Sequence, residues 1–264
     1  MNALSYAVVD ATTMLRRNLK HMLRYPTVVM FVVAIPVVLM LLFVYVFGGT
    51  LGAGLDAVAG GRHEYANYLV PGILVLTLAG GGQGTAISVA MDMTDGIIAR
   101  FKTMNISRAS VLWGHVLGTM VQTGLGLAAV LGVALAVGFR PDANPVEWVA
   151  AIAVLAMITL AFAWLSAALG LAAKNVESAS NLPMFLFLLP FLGSGFAPTD
   201  SMPGAVRWFA EHQPFTPFTE TLRGLLLGTE IGGDAIATIG WSAAIALLSY
   251  LWAMSLYNRD PSLR

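Results

Sequence analysis

Met91-Asp92-Met93-Thr94-Asp95-Gly96-Ile97-Ile98-Ala99-Arg100-Phe101-Lys102-Thr103-Met104-Asn105 is a polar island between two long apolar runs, Ala66–Ala90 before it and Val111–Phe139 after it. A helix needs about 20 apolar residues to cross about 30 Å of hydrocarbon. Both runs therefore read as membrane spans, and the island as their connection on one side of the bilayer. Laid on a helix, Met93, Ile97, Phe101 and Met104 share one side at spacings of four, four and three, with Asp95 and Lys102 opposite. A connection that only reversed the chain has no need of that period. The island is expected to press its apolar face on another protein and to pass force from it into the membrane.

The rest of the composition agrees. Of 264 residues, 58% are hydrophobic and 11% charged, against about 25% charged in soluble domains, so the chain reads as an all-α polytopic membrane protein. Zero net charge argues against a nucleic-acid surface. Without cysteine there are no disulfides and no cysteine metal site. The four histidines (His21, His63, His115, His212) lie far apart in sequence, so no metal site, no catalytic residue and no bound cofactor are expected. Gly80-Gly81-Gly82-Gln83-Gly84 has the look of a phosphate loop, but no Lys-Ser or Lys-Thr follows and it falls mid-span. Such small residues let helices approach closely, or let one unwind beside a cavity. Carboxylates are missing from the middles of the spans, which argues against proton- or sodium-coupled transport.

Residues 5–25 carry Leu15, Leu19, Met22 and Leu23 at helical spacing and a basic stripe of Arg16, Lys20 and Arg24. That pattern fits a helix lying along the inner membrane surface, and no cleavable signal is apparent there. Pro26 breaks it. Six spans are expected: Thr27–Phe47, Ala66–Ala90, Val111–Phe139, Glu147–Ala173, a short Leu182–Ala197, and Ala235–Tyr257. With the amino terminus inside, ten Lys and Arg are cytoplasmic and four (Arg62, Arg140, Arg207, Arg223) are outside. Both termini are therefore placed inside, and the 91–110 connection with them.

The outer connection Pro198–Asp234 is expected to be a helical hairpin dipping into the outer leaflet. Asp200 or Ser201 would cap its first helix, Thr216 its second, with Pro217 at the first helical position and Gly228 as the stop. No linker divides the chain, so residues 1–264 read as one domain, with the interfacial helix at 5–25 and the six-span region at 27–257. Thr119, Thr123, Ser166 and Ser242 are expected to hydrogen-bond between helices, and His115 to be a satisfied interfacial histidine. Segment five combines Asn181, Met184, Phe185, Phe187 and Phe191 with two prolines and Gly193-Ser194-Gly195, a composition equally suited to packing and to a cavity lining.

Two motifs carry a resemblance to a known family. One is Gly96-Ile97-Ile98-Ala99-Arg100-Phe101-Lys102 running into Ile106-Ser107-Arg108-Ala109-Ser110-Val111-Leu112-Trp113-Gly114. The other is Gln213-Pro214-Phe215-Thr216-Pro217-Phe218-Thr219-Glu220-Thr221-Leu222-Arg223-Gly224-Leu225-Leu226-Leu227-Gly228. With the order of elements over nearly the whole chain, they resemble the ABC type-2 exporter permeases of the daunorubicin-resistance, bacterial drug-efflux type. The chain departs from that pattern at Met104-Asn105, where Leu-Pro is usual, at Gly114-His115 (Gly-Arg), and at Gln213-Pro214 (Asn-Pro).

The resemblance implies a bacterial plasma-membrane subunit that works as a dimer of permeases, with two copies of a separate ABC ATPase carrying ATP and magnesium. It implies that residues 92–104 are a coupling helix seated on that ATPase, which gives Met93, Asp95, Ile97, Ile98, Arg100, Phe101, Lys102 and Met104 as coupling residues, with the 5–25 helix beside them. It implies an outer gate at 199–228, including Pro214, Thr216, Pro217 and Arg223. It also implies a central cavity lined by spans two and five, with Thr77, Gln83, Phe187 and Phe191 in contact with substrate. A lipophilic or amphiphilic small molecule exported by alternating access is the reading that follows. The alternatives are export of a lipid-linked or polysaccharide substrate, and a facilitator or channel that needs no ATPase. A membrane enzyme finds no clustered nucleophile, base or metal ligand to support it.

Overall fold

In the computed structural model, residues 12–13, 15–17, 24, 26–49, 61–95 and 108–258 are described. Among them every regular element is helical and no strand occurs, as it must be where backbone groups have no water to bond. Helix α1 is Pro26–Leu41, continued by a π-helical turn at Leu42–Phe47. Next come α2 (Gly61–Gly81), α3 (Gln83–Thr94), α4 (Arg108–Val137) and α5 (Pro145–Ala172). A broken segment follows, α6 (Val176–Asn181), α7 (Met184–Leu188) and a 3₁₀ turn Leu189–Leu192. The hairpin is α8 (Gly204–His212) and α9 (Phe215–Leu227), and α10 (Asp234–Asn258) closes the chain.

Among the described residues, four helical stretches are long and apolar enough to cross a membrane: His63–Thr94, Ser110–Val137, Pro145–Ala172 and Asp234–Asn258. Two shorter apolar ones are Val32–Phe47 and Val176–Leu192. The 63–94 stretch is the axis of the bundle. Most of its side chains are buried, while most of those on α10 face outward. Around α2 sits the larger core, including Leu69, Ile73, Leu76, Phe162, Phe218 and Leu222. A second core at the other end joins Val89, Leu112, Val116, Trp164, Leu171 and Tyr257. Exposed Met30, Val38, Val149, Ile236, Leu248 and Leu251 give the outer faces the apolar surface a multi-pass membrane protein needs.

Several boundaries differ from those expected. The 66–90 span does not stop at Ala90. It runs to Thr94, and Asp95 is its C-cap, its N–H bonded to the Met91 carbonyl at 2.9 Å. Asp92, Met93 and Thr94 thus belong to the span, since the helix that begins at Gln83 runs unbroken to Thr94. Asp200 and Ser201 do not cap α8. They lie in a separate 3₁₀ turn, and Pro203 precedes the helix. Thr216 does not cap α9 either, because the helix starts one residue earlier at Phe215 after Pro214. Gly228 does end that helix, in the left-handed conformation at φ +70°, where a Cβ would be strained. At the start of α5, Asn144 Oδ1 accepts from the Val146 and Glu147 amides while Glu147 accepts from the Asn144 amide at 2.7 Å. Those bonds satisfy amides that a helix start leaves orphaned.

Candidate functional site

The 63–94 axis carries a polar node at each end and a break between them. At its last turn the carboxylate of Asp92 is buried and takes two hydrogen bonds on one oxygen. Arg17 Nη2 donates to Asp92 Oδ2 at 2.5 Å, and His115 Nε2 lies 3.0 Å from the same atom. An ionised carboxylate only accepts, so the imidazole proton sits on Nε2. The three residues come from the chain before the first span, from α3 and from α4. His115 carries the node further, since its carbonyl accepts from Thr119 Oγ1 at 3.0 Å and Thr119 in turn pairs with Thr85 of α3. The expectation of a satisfied histidine holds, and the partner that satisfies it is an acid in the neighbouring span.

At the opposite end Arg223 of α9 is buried. Its Nη1 donates to Glu220 at 2.5 Å, and its Nη2 donates to the carbonyls of Tyr68 at 3.1 Å and Ser194 at 3.0 Å. The guanidinium lies over the Tyr68 ring at 3.9 Å, and the Tyr68 hydroxyl donates to the same Ser194 carbonyl at 2.7 Å. One side chain therefore fastens the hairpin to the axis and to the broken segment. Thr216 adds a second tie. Its hydroxyl donates to the Ala210 carbonyl at 2.5 Å and accepts from the Ser194 amide at 3.3 Å, an arrangement that pins α8 to α9 instead of capping the helix. On exposed α8, the Glu211 hydrogen bond and then the Asp200 charge raise the Arg207 guanidinium above its ordinary pKa.

Between the nodes, the glycine run lets helices approach closely, the first of the two purposes foreseen for it. The axis breaks at Gly82, whose position has no room for a Cβ because Ser166 of α5 occupies the space; Gly81 is likewise closed by Thr123 of α4. A Cβ on Gly80 would lie 3.1 Å from the Phe187 ring, so α7 packs straight onto backbone. Gln83, just past the break, is exposed and donates to the Ser180 carbonyl at 3.1 Å. Phe187 and Phe191 are half-buried and meet edge to face at 6.2 Å.

Of the residues picked out from the sequence, Gln83, Phe187 and Phe191 come together along this break. Thr77 does not join them at the surface. It is buried, with its hydroxyl folded back on the Ile73 carbonyl at 2.7 Å. Met93 is half-buried against the second core, so its apolar side faces this chain's own helices, while Asp95 is exposed. Ile97, Ile98, Arg100, Phe101, Lys102 and Met104 lie outside the described residues, as does Lys20; Arg16 and Arg24 are exposed. Pro214 precedes α9, and Pro217 is buried in its first turn. Among the four residues expected to bond between helices, Thr119 does so, to Thr85. Thr123 and Ser242 are buried without a hydrogen-bond partner among the described residues. Asp92 was missed as a site residue. The available signal was a lone acid closing an apolar run, with a histidine near the start of the next.

Comparison with known proteins adds the following. The family model described as ABC-2 type transporter matches residues 10–227. The chain is 28% identical to the daunorubicin resistance ABC transporter permease protein DrrB1 of Streptomyces coeruleorubidus, over 96% of this chain and 87% of that one. It is 24% identical to a probable doxorubicin resistance ABC transporter permease protein, DrrC, of Mycobacterium tuberculosis, over 80% of this chain and 76% of that one. It is also 24% identical to ABC transporter G family member 20 of Dictyostelium discoideum, over 76% of this chain and 28% of that one.

Proposed function

The chain belongs to the ABC-2 type transporter family, and on that premise we propose that it is the membrane-spanning subunit of an ATP-driven exporter of lipophilic or amphiphilic small molecules. The drug-resistance permeases among its relatives support that class of cargo. The observation that carries the mechanism is the Asp92 node, which stands immediately before the 96–105 stretch and joins three segments at one carboxylate oxygen. A separate ATPase, present in two copies and holding ATP and magnesium, pushes the 96–105 stretch that follows this span. The push reaches α3 and α4 through Asp92 and His115. The Gly82 break lets α3 move while α2 stays anchored to the hairpin by Arg223. The inner side of a cavity shared with a second permease copy then closes as the hairpin at 199–228 opens.

In this reading both termini are cytoplasmic, the membrane is the bacterial plasma membrane, and residues 1–264 act as one transmembrane domain. The six-span count is part of the same proposal, with Val32–Phe47 and Val176–Leu192 crossing as the two shorter members. The test is reconstitution with the partner ATPase in inverted vesicles, following daunorubicin fluorescence. Accumulation that needs ATP and is lost in a catalytically dead ATPase is the expected result. Daunorubicin movement by this chain alone, without nucleotide, would show a facilitator instead.

A further inference from the structure

Beneath the hairpin, several buried polar atoms converge on the turn Gly193-Ser194-Gly195. Gln213, at the joint between α8 and α9, is 5% exposed, and neither its Nε2 nor its Oε1 has a hydrogen-bond partner. The Ser194 hydroxyl, 3% exposed, has none either, nor has Nε of Arg223. They are close neighbours. A Cβ on Gly193 would lie 2.7 Å from Gln213 Nε2 and 3.2 Å from Thr216 Oγ1, and the Ser194 carbonyl is the one held by Arg223 and Tyr68. A buried polar atom left unpaired costs about 1–3 kcal/mol, and most such atoms in folded proteins are paired. An apolar residue of the same size at position 213 would be the more stable choice. Position 213 instead holds a carboxamide whose two polar atoms both lack a partner among the described residues.

We infer that Gln213 and Ser194 form a binding site for a neutral oxygen group, a hydroxyl or carbonyl of the cargo, at the hairpin end of the export path. The chemistry is specific. The carboxamide supplies a donor and an acceptor side by side, Ser194 supplies either, and Arg223 Nε supplies a further donor. The charge of Arg223 is already matched by Glu220, so the site has no call for an anion. Ser194 stands on the same broken segment as Phe187 and Phe191, seven residues beyond Phe187. Gln213 has extended backbone at ψ 156°, at the joint between the two hairpin helices.

This inference rests on the exporter reading for its cargo but is tested without transport. Binding of two probes to the purified permease in nanodiscs is compared: daunorubicin, rich in hydroxyls and carbonyls, and tetraphenylphosphonium, which has no hydrogen-bonding group. Gln213→Met should weaken daunorubicin about tenfold, the equivalent of about 1.4 kcal/mol, and leave tetraphenylphosphonium unchanged. Its thermal midpoint should be equal to or above that of the parent. Gln213→Asn, which keeps the carboxamide, should restore most of the daunorubicin affinity. Unchanged daunorubicin affinity in Gln213→Met overturns the site. So does equal weakening of both probes, which would mark the atoms as a water-filled structural feature. A permease that shows the glutamine-dependent binding yet is not driven by any ATPase loses the exporter reading and keeps the site.

Discussion

At the hairpin end Arg223 is gripped by two backbone carbonyls, a carboxylate and an aromatic face, whereas at the other end Asp92 is held by two side chains. Backbone acceptors cannot rotate away from a cation without unwinding a helix or a turn. Side-chain donors can leave by changing rotamer. Arg17 is also partly wet, its side chain 40% exposed, against 9% for Arg223. Charge pairs that reach water are weak and screened by salt, while a buried one is costly to break. The same ion-pair chemistry thus gives the more firmly held contact at the Arg223 end of the axis and the more easily released one at the Asp92 end. That asymmetry suits the proposed push, which enters at the Asp92 end.

The comparison is tested most severely by Arg223→Met, which strands Glu220 and two buried carbonyls. It is expected to lower stability by about 3–5 kcal/mol, read by denaturing-detergent titration, and a loss below about 1 kcal/mol would remove the anchor. Next in size is Gly82→Ala, where the new methyl group collides with Ser166 and overpacking costs about 1–3 kcal/mol. Ser166→Gly in the same chain should recover most of that loss; failure to do so would mean that the break itself, rather than the contact, needs glycine. Asp92→Asn should cost less stability, about 1–2 kcal/mol, yet abolish stimulation of the partner ATPase by daunorubicin. Stability and stimulation falling in proportion would make the node a second anchor. The smallest effect is that of salt. Raising it from 0.1 to 1 M should weaken the Arg17–Asp92 coupling in a double-mutant cycle by a few tenths of a kcal/mol and leave the Arg223–Tyr68 coupling unchanged.

Much of the fold was legible because hydropathy and helical length are coupled in a bilayer. The stretches around Val111–Phe139, Glu147–Ala173 and Ala235–Tyr257 became α4, α5 and α10 with ends shifted by a few residues. The Gly228 stop was readable because left-handed backbone selects glycine. The end of the second span was not, because Asp92 is polar and apolar counting stops at Ala90. Only the third dimension supplies the Arg17 and His115 that let an acid stay inside a span. Position 216 failed for a related reason. A threonine before a proline is a good cap by local rules, and here its hydroxyl found a better partner in the neighbouring helix. The Gln213 site was invisible, since a lone glutamine carries no pattern.

Thr77, Thr94, Thr119, Thr159 and Thr219 all turn their hydroxyls onto the carbonyl four residues back in their own helix. Apart from Thr119, which also pairs with Thr85 of α3, each of these groups is satisfied within its own helix. Between the two nodes, adjacent helices meet by close packing, with Gly81 and Gly82 set against Thr123 and Ser166. Under the proposed push, the hydroxyls satisfied within their own helix need break no bond when that helix shifts.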